Sequence, residues 1–99
     1  MHYILITELE TEGFTSCKIQ GLKSGELDSL EKEFTASNLI NSKQENFFEV
    51  DTQGIHVVNK LGGDEYNYRV TSQSMAMEKT NIGGRTIQVQ KLVWTLCKT

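Results

Sequence analysis

Ninety-nine residues (11.2 kDa) suffice for one domain, residues 1–99, with a modest core of its own. A 37% hydrophobic and 23% charged composition excludes a disordered chain, and no apolar run approaches the length of a membrane span. Ten acidic and four basic side chains fall in residues 1–51, three and six in residues 52–99, so the net charge of −3 hides an acidic and a mildly basic half, neither extreme enough to dictate a charged partner.

The opening Met-His-Tyr-Ile-Leu-Ile is short for a signal peptide, lacks a basic flank and runs into Glu8, Glu10 and Glu12, so a cytoplasmic protein is expected. Residues 3–9 and 14–20 alternate as strands around a turn at Glu10–Gly13. Pairing Leu9 with Phe14 puts Ile4, Ile6, Cys17 and Ile19 on one face. Cys17 and Cys97 match no metal or redox spacing and read as small apolar residues inside strands.

The period then changes. Leu27, Leu30 and Phe34 recur at helical spacing behind a Ser24 N-cap and Glu26, and Asn38 is a natural stop, which predicts an amphipathic helix over 24–37. Residues 39–46 read as polar connection. Phe47–Val50 and Ile55–Val58 form a second expected hairpin around Asp51-Thr52-Gln53-Gly54, and Leu61-Gly62-Gly63-Asp64 a turn into a third.

That third hairpin carries the most specific pattern. Apolar residues fall on even positions at Tyr66, Tyr68 and Val70 and on odd ones at Met75 and Met77. Beyond Asn81-Ile82-Gly83-Gly84 the order reverses, with Ile87 and Val89 followed by Leu92, Trp94 and Leu96. Folding at Ile82 sets Met77 opposite Ile87 and Met75 opposite Val89, so that both arms change face at one height. The order ββ-α-ββ-ββ predicts an α+β fold, a mostly antiparallel twisted sheet of three successive hairpins with one amphipathic helix. Its opening hairpin and helix are similar to the start of β-grasp folds.

Motifs for chemistry are sparse. Gly62-Gly63-Asp64-Glu65-Tyr66 resembles the Gly-Gly-Asp-Glu-Phe signature of diguanylate cyclases, where it lies in a β-hairpin; the resemblance implies metal-dependent nucleotide cyclisation. Those catalytic domains are larger, with several helices and further acidic ligands, and Gly-Gly-Asp is ordinary turn chemistry, so a turn is the reading adopted. Glu49 across from His56 would be a cross-strand contact with the look of a general-base pair, without a nucleophile spaced to use it. No enzyme activity, cofactor or metal is expected.

Tyr66, Tyr68 and Trp94 near Arg69, Lys91 and Lys98 have the ingredients of a base-stacking platform, which makes single-stranded nucleic-acid binding on the sheet face the alternative function. Sharing a face with Val70, Leu92 and Leu96 marks the three aromatics as core. The preferred expectation is a small non-enzymatic protein-binding module, an inhibitor (a phage-encoded one would suit so small and acidic a chain) or a self-associating protein. It would act through its last hairpin by way of Met75, Met77, Ile82, Ile87 and Val89.

Overall fold

Inward-facing Ile4 and Ile6 of β1 (His2–Thr11) lie against Cys17 and Ile19 of β2 (Phe14–Gln20) in the computed structural model, which describes residues 1–11 and 13–99 except the side chains of Thr80 and Ile82. The register pairs Thr11 with Phe14 and Leu9 with Ser16, two residues from the expected pairing. An even shift keeps every side chain on its face, so the predicted core face survives.

Helix α1 (Ser24–Ala36) buries Leu30 and Phe34. Lys23 occupies the N-cap in place of Ser24, its N–H donating to Glu26 Oε1 at 3.1 Å. The helix stops where Asn38 takes φ 61, a left-handed conformation that asparagine tolerates. The connection expected after it contains a short strand, β3 (Asn41–Lys43), paired with β4 (Phe47–Val50).

The predicted Ile55–Val58 strand is instead part of a second helix, α2 (Gly54–Leu61). Gly54, Val57 and Leu61 are buried at helical spacing, whereas Ile55, which would share a face with Val57 in a strand, is exposed. Tyr66 and Tyr68 likewise precede the third hairpin instead of starting it. Asn67 at φ 63 and the bond from Tyr68 N to Leu61 O (2.9 Å) turn both rings into the core. The fold is therefore α+β with an antiparallel sheet, and among the described residues it has two helices; the expected Phe47–Val50/Ile55–Val58 hairpin does not form, and the first and third hairpins pair in a different register.

Strands β5 (Arg69–Ile82) and β6 (Arg85–Lys98) complete a six-stranded sheet in the order β3-β4-β2-β1-β6-β5. Its inner face, with Ile4, Ile6, Cys17, Ile19, Phe48, Val50 and Leu96, packs on α1 and α2 through Leu30, Phe34, Val57 and Leu61. The outer face is bare enough that Tyr3, Leu5, Leu9 and Phe14 are exposed. Among the described residues no helix is long and apolar enough to cross a membrane.

Glu26 ties the helix layer to the sheet, with Lys98 Nζ at 2.8 Å from Oε2 and Tyr68 Oη donating to Oε1 at 2.8 Å. Burial raises the Glu26 carboxyl, but the bonds from Lys98, Tyr68 and the Lys23 N–H, with the Lys98 charge, outweigh it and hold the group below its ordinary 4.5. A carboxyl depressed by folding lends stability above its unfolded pKa and loses it as pH falls through the folded one. Glu26→Gln should therefore lower the melting temperature at neutral pH and flatten the acid limb below about pH 4.5, where the parent keeps losing stability. Equal acid limbs for the two proteins would contradict this role.

Candidate protein-binding surface

The third hairpin turns at Gly83-Gly84, with Ile82 paired to Arg85. Both glycines have positive φ (60 and 80), the tight two-residue geometry that favours glycine at both positions. Relative to a turn folded at Ile82 the register moves by three residues, an odd number, and the facing pairs change. Met77 lies opposite Gln90, Met75 opposite Leu92, Glu78 opposite Val89 and Ala76 opposite Lys91. The expected pairs Met77–Ile87 and Met75–Val89 do not form.

An irregularity between Val70 and Ser72 resolves the rest of the pattern. Thr71 is an extra residue there, its Oγ1 donating to Thr95 O at 3.1 Å. The bulge changes parity, so Val70 (opposite Leu96), Gln73 (opposite Trp94), Met75 and Met77 all lie on the inner face. On β5 the apparent switch of face was this bulge. On β6 it is real, since Leu92, Trp94 and Leu96 point inward while Ile87, Val89 and Val93 share the outer face with Leu5 and Leu9 of β1.

Among the described residues β1 supports β6 from His2↔Lys98 as far as Glu10↔Gln90. Beyond that the hairpin runs on as two strands in a body whose longest dimension is 44 Å. Met75 and Met77 are 61% and 51% exposed on its inner face, and Val70 at its base is 46% exposed. Val70 also borders a recess with Val58, Asn59 and Gly62 from α2 and its end, and with Arg69 and Leu96. β5 has β6 on one side and, among the described residues, no strand on the other, so its outer backbone N–H and C=O groups face away from the sheet.

Of the five predicted contact residues, the structure brings Met75 and Met77 together and exposes both. Ile87 and Val89 are half-buried on the opposite face, and the side chain of Ile82 lies outside the described residues. Sequence reasoning missed Val70, Leu92 and the β5 edge. Even spacing from Val70 to Leu92, Trp94 and Leu96 was a visible signal, but joining Met75 to it required the bulge.

No family model matches the chain, and no curated protein matches it.

Other candidate groups are placed elsewhere. Tyr66 and Tyr68 are buried, and the Trp94 ring packs over Gly54, so the three aromatics do not form an exposed stacking platform. Burial, with the Glu33 carboxylate, pushes the Tyr66 hydroxyl up to about 12, so it stays protonated 2.9 Å from Glu33 Oε2. His56 belongs to α2, with Nδ1 3.0 Å from Thr52 Oγ1 and its ring edge against Phe34, while Glu49 points to the outer face; the expected His56–Glu49 contact is absent. Gly62–Tyr66 forms the turn after α2, where Glu65 accepts a bond from Ser29 Oγ (3.0 Å). Cys17 is inward, its thiol pushed up to about 12 by burial and by Glu8, and Cys97 is on the outer face, so the two do not approach one another. Among the described residues no group of three or more His, Cys, Asp or Glu side chains could hold a metal ion.

Proposed function

We propose that this protein is a small non-enzymatic binding module that engages another protein chain, as an inhibitor or by self-association, through its last hairpin. One observation carries the reading: Met75 and Met77 stand exposed beside Val70 on the inner face of a strand whose outer edge is unpaired among the described residues. Exposed apolar groups on a protruding element mark contact surfaces, and flexible, polarizable methionine adapts to a partner's shape. An unpaired edge adds backbone hydrogen bonds to such a contact.

The double variant Met75→Glu/Met77→Glu tests it. Both side chains are exposed, so the fold should change by no more than about 0.5 kcal/mol. Association should weaken at least about tenfold, since charge is poorly accommodated in a desolvated contact. The measurements are sedimentation of the purified chain, capture from lysate with parent and variant as bait, and thermal melting. Identical sedimentation and capture by the two proteins would overturn the reading.

A further inference from the structure

The two edges of the sheet are treated differently by the sequence. β3 is three residues long and ends in Lys43, so it offers little backbone for pairing. β5 is fourteen residues long, and from Val70 to Met77 it contains neither charge nor proline, the usual devices that keep an edge from pairing with another chain. Opposite charges bracket this uncharged stretch, with Arg69 at one end and Glu78 at the other, both exposed and both on the outer-face side of the register.

We infer that the partner of the β5 edge is the β5 edge of a second copy of this chain, the two strands running antiparallel about a two-fold axis at Ser74. The inference rests on the reading of the hairpin as the binding surface. An axis through any residue of this stretch would match faces, and placing it at Ser74 is what sets the two bracketing charges opposite one another. With Ser74 on the axis, Gln73 meets Met75 of the second copy and Ser72 meets Ala76, inner side chains against inner and outer against outer. Thr71 bulges out of count in both strands, and one step further Val70 meets Met77 and Arg69 meets Glu78, again face to face. Without the bulge the same axis would set Val70 opposite Glu78 and Arg69 opposite Lys79, and the pair of opposite charges would be lost. Directly opposed side chains in antiparallel strands interact in pairs, so the symmetry supplies two Arg69–Glu78 contacts and two Val70–Met77 contacts.

Arg69 can serve this pair. In the single chain its Nη1 donates to Gly62 O (2.9 Å), at the end of α2, and to Tyr68 O (2.8 Å), so the guanidinium is turned toward the helix layer and pairing requires it to swing to the outer face to meet the carboxylate. Pairing joins two six-stranded sheets into one, makes their inner faces continuous and draws the exposed Met75 and Met77 into the contact. Because the remaining edge of each copy is the short β3, assembly stops at two.

Charge reversal and site-directed cross-linking test the register. Sedimentation equilibrium of the parent should show a monomer–dimer equilibrium. Arg69→Glu and Glu78→Arg should each weaken it about tenfold, and combining them should restore it to within about threefold of the parent. In a Cys97→Ser background, Ser74→Cys should form an intermolecular disulfide on mild oxidation. Ala76→Cys should not, because it faces position 72 of the partner and lies about 13 Å from its own copy. Melting curves of Glu78→Arg, Ser74→Cys and Ala76→Cys should match the parent's, whereas Arg69→Glu also loses its bonds to Gly62 O and Tyr68 O and should melt somewhat lower.

A parent that stays monomeric at millimolar concentration overturns the inference, as does a dimer indifferent to both charge reversals or one that cross-links equally through 74 and 76. If Met75→Glu/Met77→Glu still abolishes capture of another protein from lysate in those cases, the hairpin's binding role survives and only the second copy is rejected. If that variant changes neither dimer nor capture, the binding role itself is rejected.

Discussion

Truncation of Trp94 to alanine should destabilise the protein by about 3 kcal/mol, the lower end for large aromatic truncations because the ring is only partly buried. The ring extends from β6 across the first residue of α2. A Cβ built on Gly54 would overlap its Cζ3 and Cη2 atoms, so glycine at this position is a packing requirement. Gly54→Ala in the parent should accordingly cost about 1–3 kcal/mol through overpacking. In the Trp94→Ala background the obstacle is gone, and the same substitution should be neutral or stabilising by up to about 1 kcal/mol, since alanine suits a helix better than glycine. The two changes lie in direct contact, so urea denaturation of parent, single and double variants should return a large non-additive term. Additive effects would mean that the ring does not rest on the helix start. The same Trp94→Ala measurement bears on nucleic-acid binding, because a stacking residue could be removed without such a loss of stability.

Glu8→Ala should cost about 2 kcal/mol, although it removes a charge from the interior. Glu8 occupies an inward position of β1 that alternation reserves for an apolar side chain, and it is only 5% exposed. Its Oε1 accepts the Gly54 N–H at 2.7 Å. The first N–H groups of a helix have no partner within it, and Gln53, the N-cap of α2, provides no side-chain bond. A strand residue 46 positions away in sequence thus caps this helix, with the negative charge at the favourable end of the dipole. Glu8→Gln keeps an acceptor and should cost less than half as much. Amide exchange at Gly54 provides the local readout, with protection lost in Glu8→Ala and retained in Glu8→Gln. Equal stability of Glu8→Ala and the parent, or equal damage from both substitutions, would contradict the capping role.

Much of the fold was written locally. Residues at helical spacing, Leu27, Leu30 and Phe34, defined α1, and Asn38 ended it, because an amphipathic stripe and a residue tolerant of positive φ act within a few positions of themselves. The first hairpin was legible to the level of its core face even though its register was off by two, since side-chain direction has period two and an even error leaves it unchanged. The exposed Met75 and Met77 were identifiable as a pair on one strand face for the same reason. What lay beyond local reach was set by partners distant in the chain. Ile55–Val58 is apolar and β-branched enough to pass for a short strand, and it belongs to a helix whose first N–H is capped by Glu8 and whose first residue must be glycine beneath Trp94. In the third hairpin two φ-positive glycines moved the turn, and one extra residue, Thr71, changed the parity of β5. Each is an odd shift that reassigns every side chain beyond it, and only the completed ladder fixes its place. The sequence alone therefore determined which segments are amphipathic, whereas tertiary pairing decided which faces meet and left the β5 edge, beside its exposed methionines, without a neighbouring strand among the described residues.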